Sequence, residues 1–182
     1  MKVIGIVGSP RKNGNVETLV QEVLSSVAEK GGQVEKYNLN QMDYKGCQAC
    51  MYCKTHHRCQ LNDDMSRLME SMRTADAVVF GSPIYYWQFT SQFRAFIDRM
   101  YVFLNPDFTV TLPKGKKAVV ITSQGNPDPR LFDTVFKDFD KLLTTYGFVK
   151  VGAVNMAAGG SPNAVLERKD LLKEARSLGQ SL

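Results

Sequence analysis

Short apolar runs alternate along this chain with stretches whose apolar residues recur at helical spacing. Residues 2–7 (Lys-Val-Ile-Gly-Ile-Val) are largely apolar and β-branched, as a buried parallel strand requires. Val16, Leu19, Val20, Val23, Leu24 and Val27 then mark one face of a helix, which Gly31-Gly32 ends. Residues 34–39 alternate like an outer strand. Asn62-Asp63-Asp64 caps a helix that carries Met65, Leu68, Met69 and Met72 on one face. Residues 75–81 form a buried central strand, and Phe89, Phe93, Phe96, Ile97, Met100, Tyr101 and Leu104 a strongly apolar helix. Residues 105–116 lack any period and hold two prolines, Pro106 and Pro113, so they form a loop suited to a lid or subunit contact. A fourth strand at 117–122, a helix from Phe132 to Tyr146 and a fifth strand at 149–156 follow. Ser161-Pro162 opens the last helix, which runs through Leu166, Leu171, Leu172, Ala175 and Leu178.

Five strands alternating with five helices predict an α/β doubly wound parallel sheet, order 2-1-3-4-5, with helices on both faces. In that order a ligand sits beyond the carboxyl ends of strands 1 and 3. The 182 residues form one domain with a cysteine-rich segment at 46–60. The 43% hydrophobic and 23% charged content is ordinary for a globular protein. No apolar run approaches a membrane span and no signal peptide precedes the first strand, so a cytoplasmic protein with no membrane contact is expected. The net charge of +5 is scattered, which gives nucleic-acid binding no support. Such a surface could instead steer anionic nucleotides towards a cleft.

The chemistry begins at Gly8-Ser9-Pro10-Arg11-Lys12-Asn13-Gly14-Asn15, between the first strand and the first helix. Ser9, Asn13 and Asn15 offer side-chain hydrogen bonds, Arg11 a charged fork, and Gly14 close backbone approach. The helix amides that follow, from Asn15 and Val16, point their dipole at the same spot and make an anion site. A plainer reading is an ordinary turn with Asn15 as N-cap. Both the dinucleotide fingerprint and the P-loop pattern are missing. Gly8-Ser9-Pro10-Arg11 followed by Gly14-Asn15 resembles the FMN-phosphate loop of the NADPH-dependent FMN reductase family, and that resemblance implies a flavodoxin-like fold.

The loop after the third strand should meet the same ligand. It reads Gly81-Ser82-Pro83-Ile84-Tyr85-Tyr86-Trp87-Gln88. A flat isoalloxazine ring needs aromatic or apolar contact and a few edge donors and acceptors. Pro83 and Ile84 stiffen and line the turn, Tyr85, Tyr86 and Trp87 supply rings, and Gln88 serves a polar edge. Tyr86 and Trp87 fit equally as core or dimer contacts. Ser-Pro-Ile-Tyr, with Phe96-Ile97-Asp98-Arg99 a helix later, resembles the family's second flavin-binding segment. Asp98 and Arg99 read as structural and ion-paired. Ser123, Gln124, Gly125 and Asn126 form the third loop a switch-point ligand should touch. Gly159-Gly160-Ser161 reads as a helix cap away from the site.

Cys47, Cys50, Cys53 and Cys59 hold all the thiols of the chain in one segment. Repeated C-x2-C spacing suits a [4Fe–4S] cluster. Structural zinc, with His56 or His57 replacing one sulfur, is a second possibility. A metal-free segment, disulfide-bonded or reduced, is a third, and plain surface thiols a fourth. Gly46-Cys47-Gln48-Ala49-Cys50-Met51-Tyr52-Cys53, then Cys59 and Asp63-Asp64-Met65, is similar to the iron–sulfur flavoprotein branch of the family. That branch places a [4Fe–4S] cluster on such cysteines. The bulky, basic Thr55-His56-His57-Arg58 departs from the small residues common there.

The resemblance implies an FMN enzyme that takes hydride from NAD(P)H and passes electrons to a small-molecule or ferredoxin-like acceptor. Flavin and cluster supply that chemistry, so no side-chain acid or base is nominated. It also implies a homodimer or homotetramer in which a neighbour completes the pocket; the apolar helix at 89–104 suits such a contact and an internal core equally. A non-enzymatic flavodoxin-like electron carrier and a zinc-bearing interaction module are the rival classes.

Overall fold

The computed structural model describes residues 1–182. Strands β1 (Lys2–Val7), β2 (Gln33–Asn38) and β3 (Ala77–Tyr85) pair in parallel, with β1 between the other two. The short β4 (Gln88–Phe89) folds back antiparallel on β3. Strands β5 (Lys117–Ser123) and β6 (Val149–Met156) extend the parallel sheet on the far side of β3. The five parallel strands are thus the expected ones, and the antiparallel β4 adds a sixth. The parallel path β2-β1-β3-β5-β6 is the expected doubly wound order with the hairpin strand added.

Helices α1 (Asn15–Glu29) and α6 (Lys169–Ser181) cover one face; α3 (Asp64–Thr74), α4 (Ser91–Arg99) and α5 (Asp133–Thr145) cover the other. A one-turn helix, α2 (Cys53–His56), lies inside the cysteine segment, where no apolar period marks it. Each strand feeds both layers because its side chains alternate between faces. Val3 and Val7 pack with α1 and α6, whereas Ile4 and Ile6 pack with Phe80, Phe93 and Phe96. The apolar face of α4 and of the 3-10 turn that follows it (Met100–Phe103) is thereby consumed inside its own subunit: Phe93, Phe96, Met100 and Phe103 are all buried. Of the two explanations the helix allows, the internal core accounts for these residues.

Three boundaries move for local reasons. Strand β3 continues through Ser82 and Pro83, which pair with Thr122 and Ser123, so the expected turn is pushed out to Tyr86-Trp87. The helix cap at α1 is Gly14 rather than Asn15. The last helix starts at Lys169, after a 3-10 turn at Ala164–Glu167, rather than at Pro162.

Gly81 shows how tightly α1 sits on the sheet. A Cβ there would lie 2.6 Å from Val20 Cγ2 and 2.9 Å from Val16 Cγ1. Gly81→Ala should cost about 1–3 kcal/mol by overpacking, read as a lower denaturant midpoint at unchanged slope. An unchanged midpoint would mean that α1 gives way freely.

Candidate functional site

The carboxyl ends of β1, β3, β5 and β6 open onto one edge of the sheet, and hydrogen bonds tie their loops together. The Gly8 amide donates to Gly81 O (2.7 Å), and the Thr90 hydroxyl donates to Gly8 O (2.7 Å). On the other side the Gly159 amide donates to Gln124 O (2.7 Å). Between them lies a cleft of about 180 Å³ lined by Ser9, Arg11, Asn15, Val16, Pro83, Ile84, Tyr85, Ser123, Gln124, Gly125, Gly159 and Gly160. Nine of the nominated residues come together here: Ser9, Arg11, Asn15, Val16, Pro83, Ile84, Tyr85, Ser123 and Gly125.

The amino end of α1 is uncapped. Gly14 has no capping side chain, and the amides of Asn15, Val16 and Glu17 have no partner within the chain. The Ser9 hydroxyl accepts the Arg11 amide (3.2 Å), which leaves its own proton free. Arg11 Nη1 donates to Gly160 O (2.9 Å), so the guanidinium is held across the cleft mouth. Glu17 does not oppose an anion with a bare charge. Its carboxylate accepts from the Asn13 amide (2.7 Å) and from Lys36 Nζ (3.0 Å). Burial works to raise its pKa, but Lys36 and the Asn13 amide hold it below the usual range.

Five nominated residues lie outside the cleft lining. Asn13 is exposed in a left-handed conformation (φ 53°), and Gly14 is the helix cap. Gln88 accepts the following amide on β4. Tyr86 and Trp87 form the tip of the β3–β4 hairpin, 95% and 69% exposed, so neither belongs to the core. Both have positive φ (46° and 65°), a two-residue turn that normally takes Asn-Gly. Holding two aromatic residues there costs about 1–3 kcal/mol each. Trp87 rests edge-on against Phe132, 6.2 Å between centroids.

The side chain of Asn15, which also lines the cleft, is taken up by a long-range contact rather than by an N-cap bond. Its amide nitrogen donates to Gly159 O (3.0 Å) and Ser161 O (2.9 Å), and its Oδ1 accepts the Val165 amide (3.0 Å). It therefore pins the loop after β6 against the first loop. That contact corrects the placing of Gly159 and Gly160 away from the site. Gln124, noted in the third loop but not among the principal contacts, is buried at the cleft wall. Its Nε2 donates to Asp128 O (2.6 Å), while Oε1 has no partner.

A second, larger cavity of about 430 Å³ is lined by all four cysteines, with Gln48, Ala49, Met51, Gln60, Leu61, Arg99, Tyr101 and Val102. All four thiols are free. Cys53 and Cys59 pack against the core, and burial pushes the Cys53 thiol up. His56 stacks on Tyr52 (3.7 Å between centroids), and neither His56 nor His57 lines the cavity. No three His, Cys, Asp or Glu side chains converge on a single-ion position. From Gly46 to Cys53 no backbone amide donates within the chain, and Ala49 and Met51 have positive φ (51° and 59°).

The cysteine segment is clamped where it leaves the sheet. Asp63 caps α3 through the Ser66 amide, accepts the Lys45 amide (3.2 Å), and takes both terminal nitrogens of Arg99 (2.7 and 2.9 Å). Arg99 Nη1 also reaches Lys45 O (2.7 Å). Asp98 and Arg99 are both ion-paired, as expected, but not with each other. Adjacent helix positions diverge, and Asp98 faces Arg94 instead at 3.8 Å.

A sequence model described as NADPH-dependent FMN reductase matches residues 1–127. An iron-sulfur flavoprotein of Archaeoglobus fulgidus is 32% identical over 182 residues, all of this chain and 79% of that one. An iron-sulfur flavoprotein of Methanosarcina thermophila is 31% identical over 152 residues, 84% of this chain and 78% of its own. Among solved structures, an azoreductase from Bacillus anthracis superposes over 100% of both chains with a TM-score of 0.74 at 16% identity, a likeness of flavodoxin-like fold. On the family match and the full-length relative, the chain belongs to the NADPH-dependent FMN reductase family.

Proposed function

We propose that the chain is an FMN-dependent NAD(P)H oxidoreductase with its flavin phosphate at the amino end of α1. The observation that carries this reading is the set of unpartnered amides at Asn15, Val16 and Glu17, beside a cleft walled by Ser9 and Arg11. A phosphate there gains about 0.3–2 kcal/mol from the helix dipole and roughly 1.5–3 kcal/mol for each charge-assisted hydrogen bond. Gln124 Oε1, a buried acceptor left open, suits an N–H on the ligand's ring edge. Ser123 and Gly125 lie on the same wall, and Pro83, Ile84 and Tyr85 supply the apolar one.

The cleft is smaller than the roughly 300–1,000 Å³ of a typical ligand pocket. It suits the phosphate and ribityl chain, and leaves the ring at the mouth near Tyr85 and the Tyr86-Trp87 tip. An open ring face admits a nicotinamide without a second nucleotide fold. The strained, exposed hairpin supports a homodimer or homotetramer in which a neighbouring subunit covers that face. Bound FMN supplies hydride acceptance from NAD(P)H and onward transfer to a small-molecule or ferredoxin-like acceptor. The chain's own residues bind and orient it, and none is needed as acid or base.

The cysteines fit a [4Fe–4S] cluster, which would supply one-electron transfer. The support is threefold: four thiols on one cavity, a run of free amides with the alternating backbone of an anion nest, and relatives named iron-sulfur flavoproteins. A cubane spreads its ligands over four irons, so it asks for thiols around a volume rather than at one point. Cys47, Cys50, Cys53 and Cys59 would hold it.

Mixing flavin-loaded protein with NADPH and then NADH without oxygen tests the enzyme assignment. At least one of them should bleach the flavin absorbance within the turnover range of ordinary enzymes. Failure with both would leave the electron-carrier alternative.

A further inference from the structure

Two buried side-chain polar atoms in the whole chain lack a hydrogen-bond partner: Gln124 Oε1 and Arg99 Nε. Each belongs to a residue lining one of the two cavities, the first at the phosphate cleft and the second among the cysteines. The clamp described above accounts for the terminal nitrogens of Arg99. It does not account for Nε. The side chain is 1% exposed, so no bulk water serves that donor, and a buried donor left unmade is costly.

We propose, resting on the cluster assignment above, that Arg99 is the fixed cation of the cysteine cavity and that its Nε–H donates to a sulfur of the bound cluster. The wall it shares with Cys47, Cys50, Cys53 and Cys59 is otherwise mostly apolar or sulfur-bearing, with Leu61, Val102 and Met51 beside it. In such a place the acceptor that suits a lone cationic N–H is a soft, diffuse anion. Four thiolates around an iron–sulfur core provide one. Hydrogen bonds to sulfur and nearby charge set the potential of such centres, and a cation favours the more negative, reduced form. Arg99 therefore raises the cluster potential. Asp63 does not line the cavity. Its bidentate grip fixes the guanidinium plane, so Asp63 is the positioning residue and Arg99 the one that touches the cofactor.

The test uses full-length protein reconstituted anaerobically with iron and sulfide, as wild type, Arg99→Lys and the double variant Arg99→Gln/Asp63→Asn. Lysine keeps the charge and loses the fork. The double variant removes both charges together, so neither is stranded in the interior, and it decides the matter if the lysine variant fails to fold. Redox titration followed by electron paramagnetic resonance should show a lower cluster potential in both variants. The expected size is at least tenfold in the oxidised-to-reduced ratio, about 59 mV for one electron. The flavin potential in the same samples should stay put, which a general loosening of the fold would not allow. An unchanged cluster potential at full iron content overturns the role given to Arg99 and leaves the cluster standing. Wild-type protein that takes up no iron overturns the cluster and this role with it.

Discussion

Replacing Arg11 with alanine is expected to weaken FMN binding about tenfold to a hundredfold, as the loss of one proposed charge-assisted hydrogen bond to phosphate, and to leave folding stability within about 0.5 kcal/mol. The separation of the two effects follows from where Arg11 sits. It is exposed, and its only hydrogen bond to another loop runs to the Gly160 carbonyl. Nothing in either core layer rests on it. The ligand loses a donor, whereas the folded chain loses one exposed contact between loops already joined by Asn15. Fluorescence titration with FMN and a urea melt measure the two quantities on the same sample. Equal affinity in the variant would remove Arg11 from the phosphate site.

Asp63→Ala is expected to cost about 3–5 kcal/mol, the usual penalty for breaking a buried ion pair from one side. It strands the guanidinium of Arg99 in the interior, removes the cap of α3 and frees the Lys45 amide. The cysteine segment should loosen with it, seen as faster amide exchange and faster thiol labelling at residues 46–60. The same pair predicts an acid limb in the stability curve. Burial works to raise the Asp63 pKa, but the Arg99 hydrogen bond and the Lys45 amide outweigh it and hold the carboxyl below its usual range. A depressed folded pKa means the contribution is complete above the unfolded value, about 3.9, and disappears as pH falls through the folded one. Asp63→Asn should flatten that limb. A wild-type melt with no acid limb, or an alanine variant as stable as wild type, would show the pair to be dispensable.

Much of the sheet could be read from the chain because its inner strands β1, β3 and β5 are buried on both faces, which leaves unbroken β-branched runs such as Val3-Ile4 and Val78-Val79. The order followed from alternation and handedness. Asp63 could be read as a cap because capping is a local matter between neighbours. Two of the misplacements involve partners far away in sequence. Ser161-Pro162 has the local form of a helix start, yet Asn15 binds the carbonyls of Gly159 and Ser161 and the amide of Val165. Three bonds from one side chain outweigh a propensity. Nothing in the sequence near position 160 announces that Asn15 will be there, so the sequence alone sets Gly159 and Gly160 outside the site. Likewise Asp98 beside Arg99 invites a pairing that helix geometry forbids, while the true partner lies 36 residues back. The Tyr86-Trp87 turn was hidden for another reason. Left-handed aromatic residues violate turn chemistry, and such violations gather at sites where strain serves a purpose.

The central claim is that the open amino end of α1 binds the phosphate of a flavin, and Trp87 is the single tryptophan available to report it. Titrating flavin-free protein with FMN and, separately, with riboflavin compares two ligands that differ only in that phosphate. Quenching of Trp87 should saturate at least tenfold earlier with FMN. Equal affinity for the two, or no saturable quenching by either, would contradict the phosphate site and the function built on it.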